Sequence, residues 1–154
     1  MIKVGDVFGI QTKKGETYLQ YIGKDQRGAV AVRVLSKFFD LPQDCLGEAI
    51  QQNTNFITFY PVNIAYRRKM VRKIGNFEVP EHSKKLPLFR GATSILDPKR
   101  IDGWIIPDQN GNKRSILFKD LTIEQKKMPT DGLINHDLLV SLIEEDWLPE
   151  KALW

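Results

Sequence analysis

The chain of 154 residues has the usual size of one compact domain, and 42% hydrophobic with 27% charged residues excludes a wholly disordered or collagen-like polymer. No run approaches the roughly 18 apolar residues that cross a bilayer, and residues 1–6 lack the apolar stretch of a secretory signal. A single cytoplasmic domain over residues 1–154, without a membrane partner, is therefore expected. The net charge of +4 is too small to imply nucleic acid by itself, but it is unevenly spread. Residues 67–100 hold ten bases against three acids, whereas residues 137–150 hold five acids and no base.

The N-terminal third reads as three strands, at 4–10, 17–22 and 29–35. Lys14-Gly15 and Gly23-Lys24-Asp25 provide turns between β-branched and aromatic runs, the pattern of an antiparallel meander that curls toward a partial barrel. Between Leu41 and Asn53, Leu41, Cys45, Leu46, Ala49 and Ile50 recur on one helical face, with Asp40 as cap and Pro42 in the first turn. Residues 56–66 return to strand composition, with Pro61 favouring an edge or bulge. From Ile74 to Asp102, Pro80, Pro87 and Pro98 punctuate an irregular excursion.

The clearest hairpin signal comes next, because Asn110-Gly111 accepts the positive φ angles of a tight turn between residues 104–106 and 115–118. Thr122 and Gln125 have capping-box spacing for a short helix. A last helix is predicted from the Asn135 cap to about Asp146, with Leu138, Leu139, Leu142 and Ile143 on one face. The fold class predicted is α+β, a strongly bent antiparallel sheet with a later hairpin and two or three helices.

Catalytic chemistry has no footprint in these residues. His82 and His136 stand more than fifty residues apart without a metal-ligand motif, and no nucleophile elbow or glycine-rich phosphate loop is present. Cys45, on the apolar helix face, reads as a small hydrophobe. No catalytic residue, metal or cofactor is assigned.

Two charged segments remain. Tyr66, Arg67, Arg68, Lys69, Arg72 and Lys73 form a nucleic-acid candidate, with cations for phosphates and a ring for stacking. If the segment continues a strand, its charges alternate between faces, and a charge-protected sheet edge, a common protective device, is the favoured structural reading. At the other end, Glu144, Glu145 and Asp146 oppose the dipole of the helix they terminate. With Trp147, Glu150 and Trp154 they form either an acidic surface for a basic partner or a helix end that folds back on the core, paired with residues 67–73.

The opening Val4-Gly5-Asp6-Val7-Phe8-Gly9-Ile10, the Phe38-Phe39 pair, the central Lys73-Ile74-Gly75-Asn76-Phe77-Glu78-Val79-Pro80-Glu81 and the later Leu86-Pro87-Leu88-Phe89-Arg90 succeed one another in an order that resembles the immunity protein 26 family. The resemblance covers residues 2–120; Lys84, Lys85 and the acidic C-terminal helix depart from it. It implies a bacterial immunity protein, non-catalytic and without cofactor, that binds a cognate secreted toxin domain and blocks it by occlusion. Were that toxin a nuclease, Glu144, Glu145, Asp146 and Glu150 would imitate phosphates. The alternative is a small nucleic-acid-binding module using residues 66–73.

Overall fold

The structure is a computed structural model, and residues 1–52, 54–92 and 103–151 of the chain are described. The chain divides into two compact units, Met1–Leu86 with Leu133–Trp147, and Pro87–Gly132 with Leu148–Trp154. The class is α+β, with a five-stranded antiparallel sheet in the first unit, a three-stranded sheet in the second, and four helices among the described residues.

In the first unit, β1 (Asp6–Thr12), β2 (Gly15–Lys24) and β3 (Val30–Val34) form the expected meander. β4 (Phe56–Phe59) pairs with β3, and β5 (Arg72–Asn76) pairs with β1, giving the order β4-β3-β2-β1-β5. This sheet is open at β4 and β5 and does not curl into a partial barrel. The later hairpin is not part of it.

Both faces of the sheet are covered, which explains why β1 and β3 read as nearly continuous apolar runs. On one face Phe8, Ile10, Leu19, Tyr21, Val32 and Val34 pack with α2 (Val62–Arg67) and α4 (His136–Glu144) through Val62, Ala65, Leu139, Leu142 and Ile143. On the other, Val7, Tyr18 and Leu35 pack with Leu46 and Ile50 of α1 (Gln43–Gln51). The period-two alternation of strand side chains thus sends Val7 to one helix and Phe8 to the others.

α1 starts later than its pattern suggests. Pro42 precedes it without a side-chain cap, and Asp40, at φ +50°, instead accepts the Glu16 N–H at 2.9 Å. Gly15, at φ +122°, is required beside it, because an added Cβ would run into the Asp40 carboxylate. Cys45 is exposed, contrary to its assignment to the apolar face; Leu46, Ala49 and Ile50 supply that face. The helix has no basic residue in its last turn. Its C-terminal carbonyls meet Arg33 of β3, a fully buried side chain that donates to Ile50 O at 2.6 Å and Gln52 O at 2.8 Å.

Asp6 shows the same economy at the start of β1. Its carboxylate is 1% exposed and accepts from the Lys3 N–H, the Asn76 amide and the Lys73 ammonium, the last at 2.9 Å. The segment expected to be irregular from Ile74 onward therefore begins as strand β5, tied to β1 by polar groups that apolar periodicity does not register.

The second unit carries the sheet β6-β7-β8, with β6 (Gly91–Ala92), β7 (Trp104–Pro107) and β8 (Lys113–Ile116). The predicted turn between β7 and β8 is present: Gly111 lies at φ +83° and Asp108 Oδ1 accepts the Asn110 and Asn112 N–H groups. α3 (Ile123–Lys127) has the full capping box of Thr122 and Gln125. Asn53, Asp97, Pro98, Lys99, Arg100, Asp102 and Trp154, which entered the expectations above, lie outside the described residues.

Arg90 is the second fully buried arginine and is held differently from Arg33. Its Nη2 donates to Pro149 O at 2.7 Å and its guanidinium stacks on Trp104 at 4.2 Å, but Nε and Nη1 have no hydrogen-bond partner among the described residues. Burial pushes its pKa down to about 10, with Glu150 acting in the opposite sense. Replacing a poorly satisfied buried charge with an apolar side chain of similar length often stabilises by about 1–4 kcal/mol. Arg90→Met is accordingly expected to raise stability by about 1 kcal/mol after loss of the stacking, as measured by urea denaturation. Destabilisation by more than about 2 kcal/mol would contradict this account of Arg90.

Candidate functional site

Of the two charged segments, the basic one is reshaped most by the fold. Residues 56–66 are not one strand: Pro61 has no N–H for the ladder, β4 stops at Phe59, and the chain turns into α2, whose Val62 and Ala65 face the core. After six residues α2 closes in a Schellman motif, with the Met70 N–H on Ala65 O at 2.9 Å and the Lys69 N–H on Tyr66 O at 3.0 Å. Lys69 sits at the left-handed position, φ +59°, which glycine occupies more readily. Residues 67–73 are thus a helix end followed by a strand, not a continuous edge with alternating charge.

This divides the six residues of the nucleic-acid candidate. Arg72 pairs with Glu16 at 2.6 Å, which raises the arginine's pKa, and Lys73 pairs with buried Asp6. Arg67, Arg68 and Lys69 have no acid within ion-pair distance among the described residues, and all three are exposed. Tyr66, 38% exposed, leans on Phe8 with ring centroids 5.6 Å apart. Ile64 and Met70 are similarly open at 39% each. The end of α2 is therefore a mixed surface of three unpaired cations, an aromatic ring and two apolar side chains.

Two concavities meet at Tyr66. One, of about 350 Å³, runs past Gly9, Glu16, Lys69 and Met70 toward Arg72. The other, of about 490 Å³, is lined by Ile2, Tyr21, Lys24, Asn63 and Arg67. Sequence patterning singles out Tyr66 and Arg67 but misses Tyr21, Lys24 and Asn63. No local signal marks those three, since Tyr21 and Lys24 of β2 and Asn63 of α2 are brought together only by tertiary packing.

The acidic segment is largely occupied within the first unit. α4 ends in a second Schellman motif, with the Trp147 N–H on Leu142 O at 2.9 Å and Asp146 at φ +53°. Glu144 accepts the Lys13 N–H at 2.7 Å and Asp146 pairs with Lys14 at 3.0 Å, so these acids hold the β1–β2 turn. Their partners are not residues 67–73. Trp147 packs edge-on against Phe56 with centroids 5.0 Å apart, which is the fold-back expected as one of two outcomes. Glu145, the C-cap of α4, is exposed, whereas Glu150 belongs to the second unit, in the helical turn Pro149–Lys151.

The histidines have structural partners. His136 opens α4 with Nδ1 2.8 Å from the Tyr60 hydroxyl, whose pKa burial pushes up to about 12, and His82 meets the Ser83 hydroxyl at 2.9 Å. Among the described residues no cluster of three His, Cys, Asp or Glu side chains is arranged to hold a metal ion. No helix among them is long and apolar enough to cross a membrane. Comparison with models of known protein families, with curated proteins and with solved structures finds no match to this chain.

Proposed function

We propose that this is a non-catalytic binding protein that neutralises a partner protein by occlusion, the immunity function implied by the order of its motifs, and that it meets its partner through the exposed end of α2. The observation that supports this reading is the composition of that surface. Arg67, Arg68 and Lys69 have no acid within ion-pair distance among the described residues and are flanked by half-open Tyr66 and Met70. Tyrosine, methionine and arginine are the residue types enriched where proteins meet. The charge calls for an acidic surface on the toxin, since complementary charge speeds encounter and selects partners.

A nucleic-acid module is the second reading, favoured by the open face of Tyr66. Three free cations are few for it. At about −0.9 in log–log salt slope per phosphate neutralised, they give a slope near −3, and affinity falls roughly fortyfold between 50 and 200 mM salt.

The test is co-purification of the tagged protein with the product of the neighbouring open reading frame, together with rescue of growth when the two are co-expressed. Stoichiometric capture and rescue are expected, with Arg68→Glu plus Met70→Ala weakening the complex at least about hundredfold. Glu144→Gln plus Glu145→Gln should leave it intact. Lys69→Gly separates function from folding: it relieves the left-handed strain and should gain about 1 kcal/mol in stability while slowing association. Capture of nucleic acid alone, released by modest salt, would overturn the immunity reading.

A further inference from the structure

The loop between β7 and β8 carries a signal that the α2 surface does not use: Asn110-Gly111 is the only Asn-Gly pair in the chain. Residues 108–112 are all exposed, and Asp108 organises them. Its main-chain oxygen accepts the Gly111 N–H at 3.2 Å, and its Oδ1 accepts the Asn110 and Asn112 N–H groups at 2.8 and 2.9 Å. With the Asp108 N–H on Asn112 O at 2.8 Å and Gly111 at φ +83°, this is a three-residue hairpin loop, a type I turn closed by a left-handed glycine.

The Asn110 side chain makes no hydrogen bond among the described residues. Beyond its chain neighbours, no atom lies within 4 Å of the place where a Gly111 side chain would stand. The other described asparagines differ. Asn76 gives its amide to Val4 O and Asp6 and precedes Phe77, and Asn135 caps α4. Oδ1 is buried in Asn55 and Asn63, each followed by a bulky apolar residue, and Asn112 precedes Lys113, whose side chain shields the nitrogen. Only Asn110 joins an untethered carboxamide to an unshielded, conformationally free neighbouring nitrogen.

We infer that Asn110 is a site of spontaneous modification, converting to aspartate and isoaspartate through a cyclic imide with Gly111. The Gly111 nitrogen gives up its proton to solvent and bonds to Asn110 Cγ, closing a five-membered ring. The Cγ–Nδ2 bond breaks, and the side-chain nitrogen takes a proton and leaves as ammonia. Water then opens the ring. Cleavage at Cγ gives aspartate, whereas cleavage at the Asn110 main-chain carbonyl gives isoaspartate, whose chain runs through the β-carbon. The sum is one amide and one water converted to one carboxylate and ammonium, without redox change.

Each event lowers the net charge from +4 to +3. Isoaspartate also adds a methylene to the main chain between the two N–H groups that Asp108 Oδ1 holds, which loosens the adjoining Pro107↔Lys113 and Ile106↔Arg114 pairs. The loop slows the reaction without blocking it. Attack requires the peptide after Asn110 to turn and release the 3.2 Å bond, an exposed neutral hydrogen bond whose loss slows conversion about tenfold relative to an unconstrained chain. The site belongs to the second unit and does not rest on the partner-binding reading.

The experiment is incubation of the full chain at physiological temperature and neutral pH, followed by peptide mass mapping. Isoaspartate is detected by methyl transfer from labelled S-adenosylmethionine with an isoaspartyl methyltransferase. Asn110 is expected to convert before any other asparagine, faster at higher pH, and at about one tenth of its rate in the urea-unfolded chain. Asn110→Gln should abolish the label and leave thermal unfolding unchanged, because a ring one atom larger closes far more slowly. Gly111→Ala should slow conversion at least about tenfold in folded and urea-unfolded chains alike, so its effect does not depend on the strain it adds to the loop. Label that survives in Asn110→Gln, earlier conversion of another asparagine, an unchanged rate in Gly111→Ala, or protection beyond about hundredfold in the native chain would each overturn the inference.

Discussion

Arg33→Met will destabilise the protein by about 4 kcal/mol, with a lower urea midpoint and an unchanged slope. The side chain is 0% exposed and its donors are well used: Nε reaches Thr54 Oγ1 at 2.8 Å, Nη1 reaches Gln20 Oε1 at 2.9 Å and Ile50 O at 2.6 Å, and Nη2 reaches Gln52 O at 2.8 Å. Methionine preserves most of the volume, so the loss comes from stranded acceptors at about 1–3 kcal/mol each where burial is complete. It also removes the only cation these contacts place at the C-terminal end of α1, worth about 0.3–2 kcal/mol. Burial pushes the Arg33 pKa down to about 10, which still leaves it charged at neutral pH.

Lysine will not rescue the site, because one ammonium cannot reproduce a planar fork directed at four acceptors. Arg90→Met is the internal contrast. The same substitution at an equally buried arginine is expected to have the opposite sign, because two nitrogens of Arg90 have no hydrogen-bond partner among the described residues. A loss below about 1 kcal/mol for Arg33→Met would show that satisfied donors are not what distinguishes the two sites.

Asp6→Ala will cost about 3 kcal/mol at pH 7, because it removes the acceptor of the Lys3 N–H, the Asn76 amide and the half-exposed Lys73 ammonium, and with them the polar junction of β1 and β5. The pH dependence has a definite sign. Burial alone would raise the Asp6 pKa, but hydrogen bonds from Asn76, Lys73 and Lys3 and the charge of Lys73 together hold it below the ordinary 3.8. A carboxyl depressed on folding contributes its full stabilisation above the unfolded value and loses it as pH falls through the folded one. The stability gap between wild type and Asp6→Asn should therefore be constant from neutral pH down to about 5 and close progressively below 3.8. Denaturant titrations at a series of pH values measure it directly, and a gap that persists undiminished at pH 2 would contradict the assignment.

The elements legible in the sequence were legible for local reasons. The meander comes from alternating runs and turn residues, the Asp108–Asn112 loop from Asn110-Gly111, and the starts of α3 and α4 from Thr122 with Gln125 and from Asn135, whose side chain accepts the Leu138 N–H at 2.8 Å. The departures share a cause as well. Asp40 has the look of a helix cap but serves the Glu16 N–H across the hairpin. The 56–66 run resembles one strand because its β-branched and aromatic residues fit either a buried strand or a buried helix face, and Pro61 interrupts the ladder without specifying the next element.

The candidate surface was half legible. Tyr66, Arg67, Arg68 and Lys69 are adjacent in sequence and remain together, while Arg72 and Lys73 are taken by Glu16 and Asp6, residues fifty to seventy positions away. The acidic end was ambiguous for the same reason, since Lys13 and Lys14 become its neighbours only when α4 lies beside the β1–β2 turn.

The sequence by itself determined the α+β class, the antiparallel meander, the hairpin, the capped helices and the supply of charge, because each depends on contacts within a few residues or on a period along one element. The tertiary structure decided which charges stay free, which buried arginine is satisfied, and that Tyr21, Lys24 and Asn63 line one cleft. Those outcomes depend on long-range pairing and on burial, which remove water from a polar group and leave its energy to whatever partner the fold brings within reach.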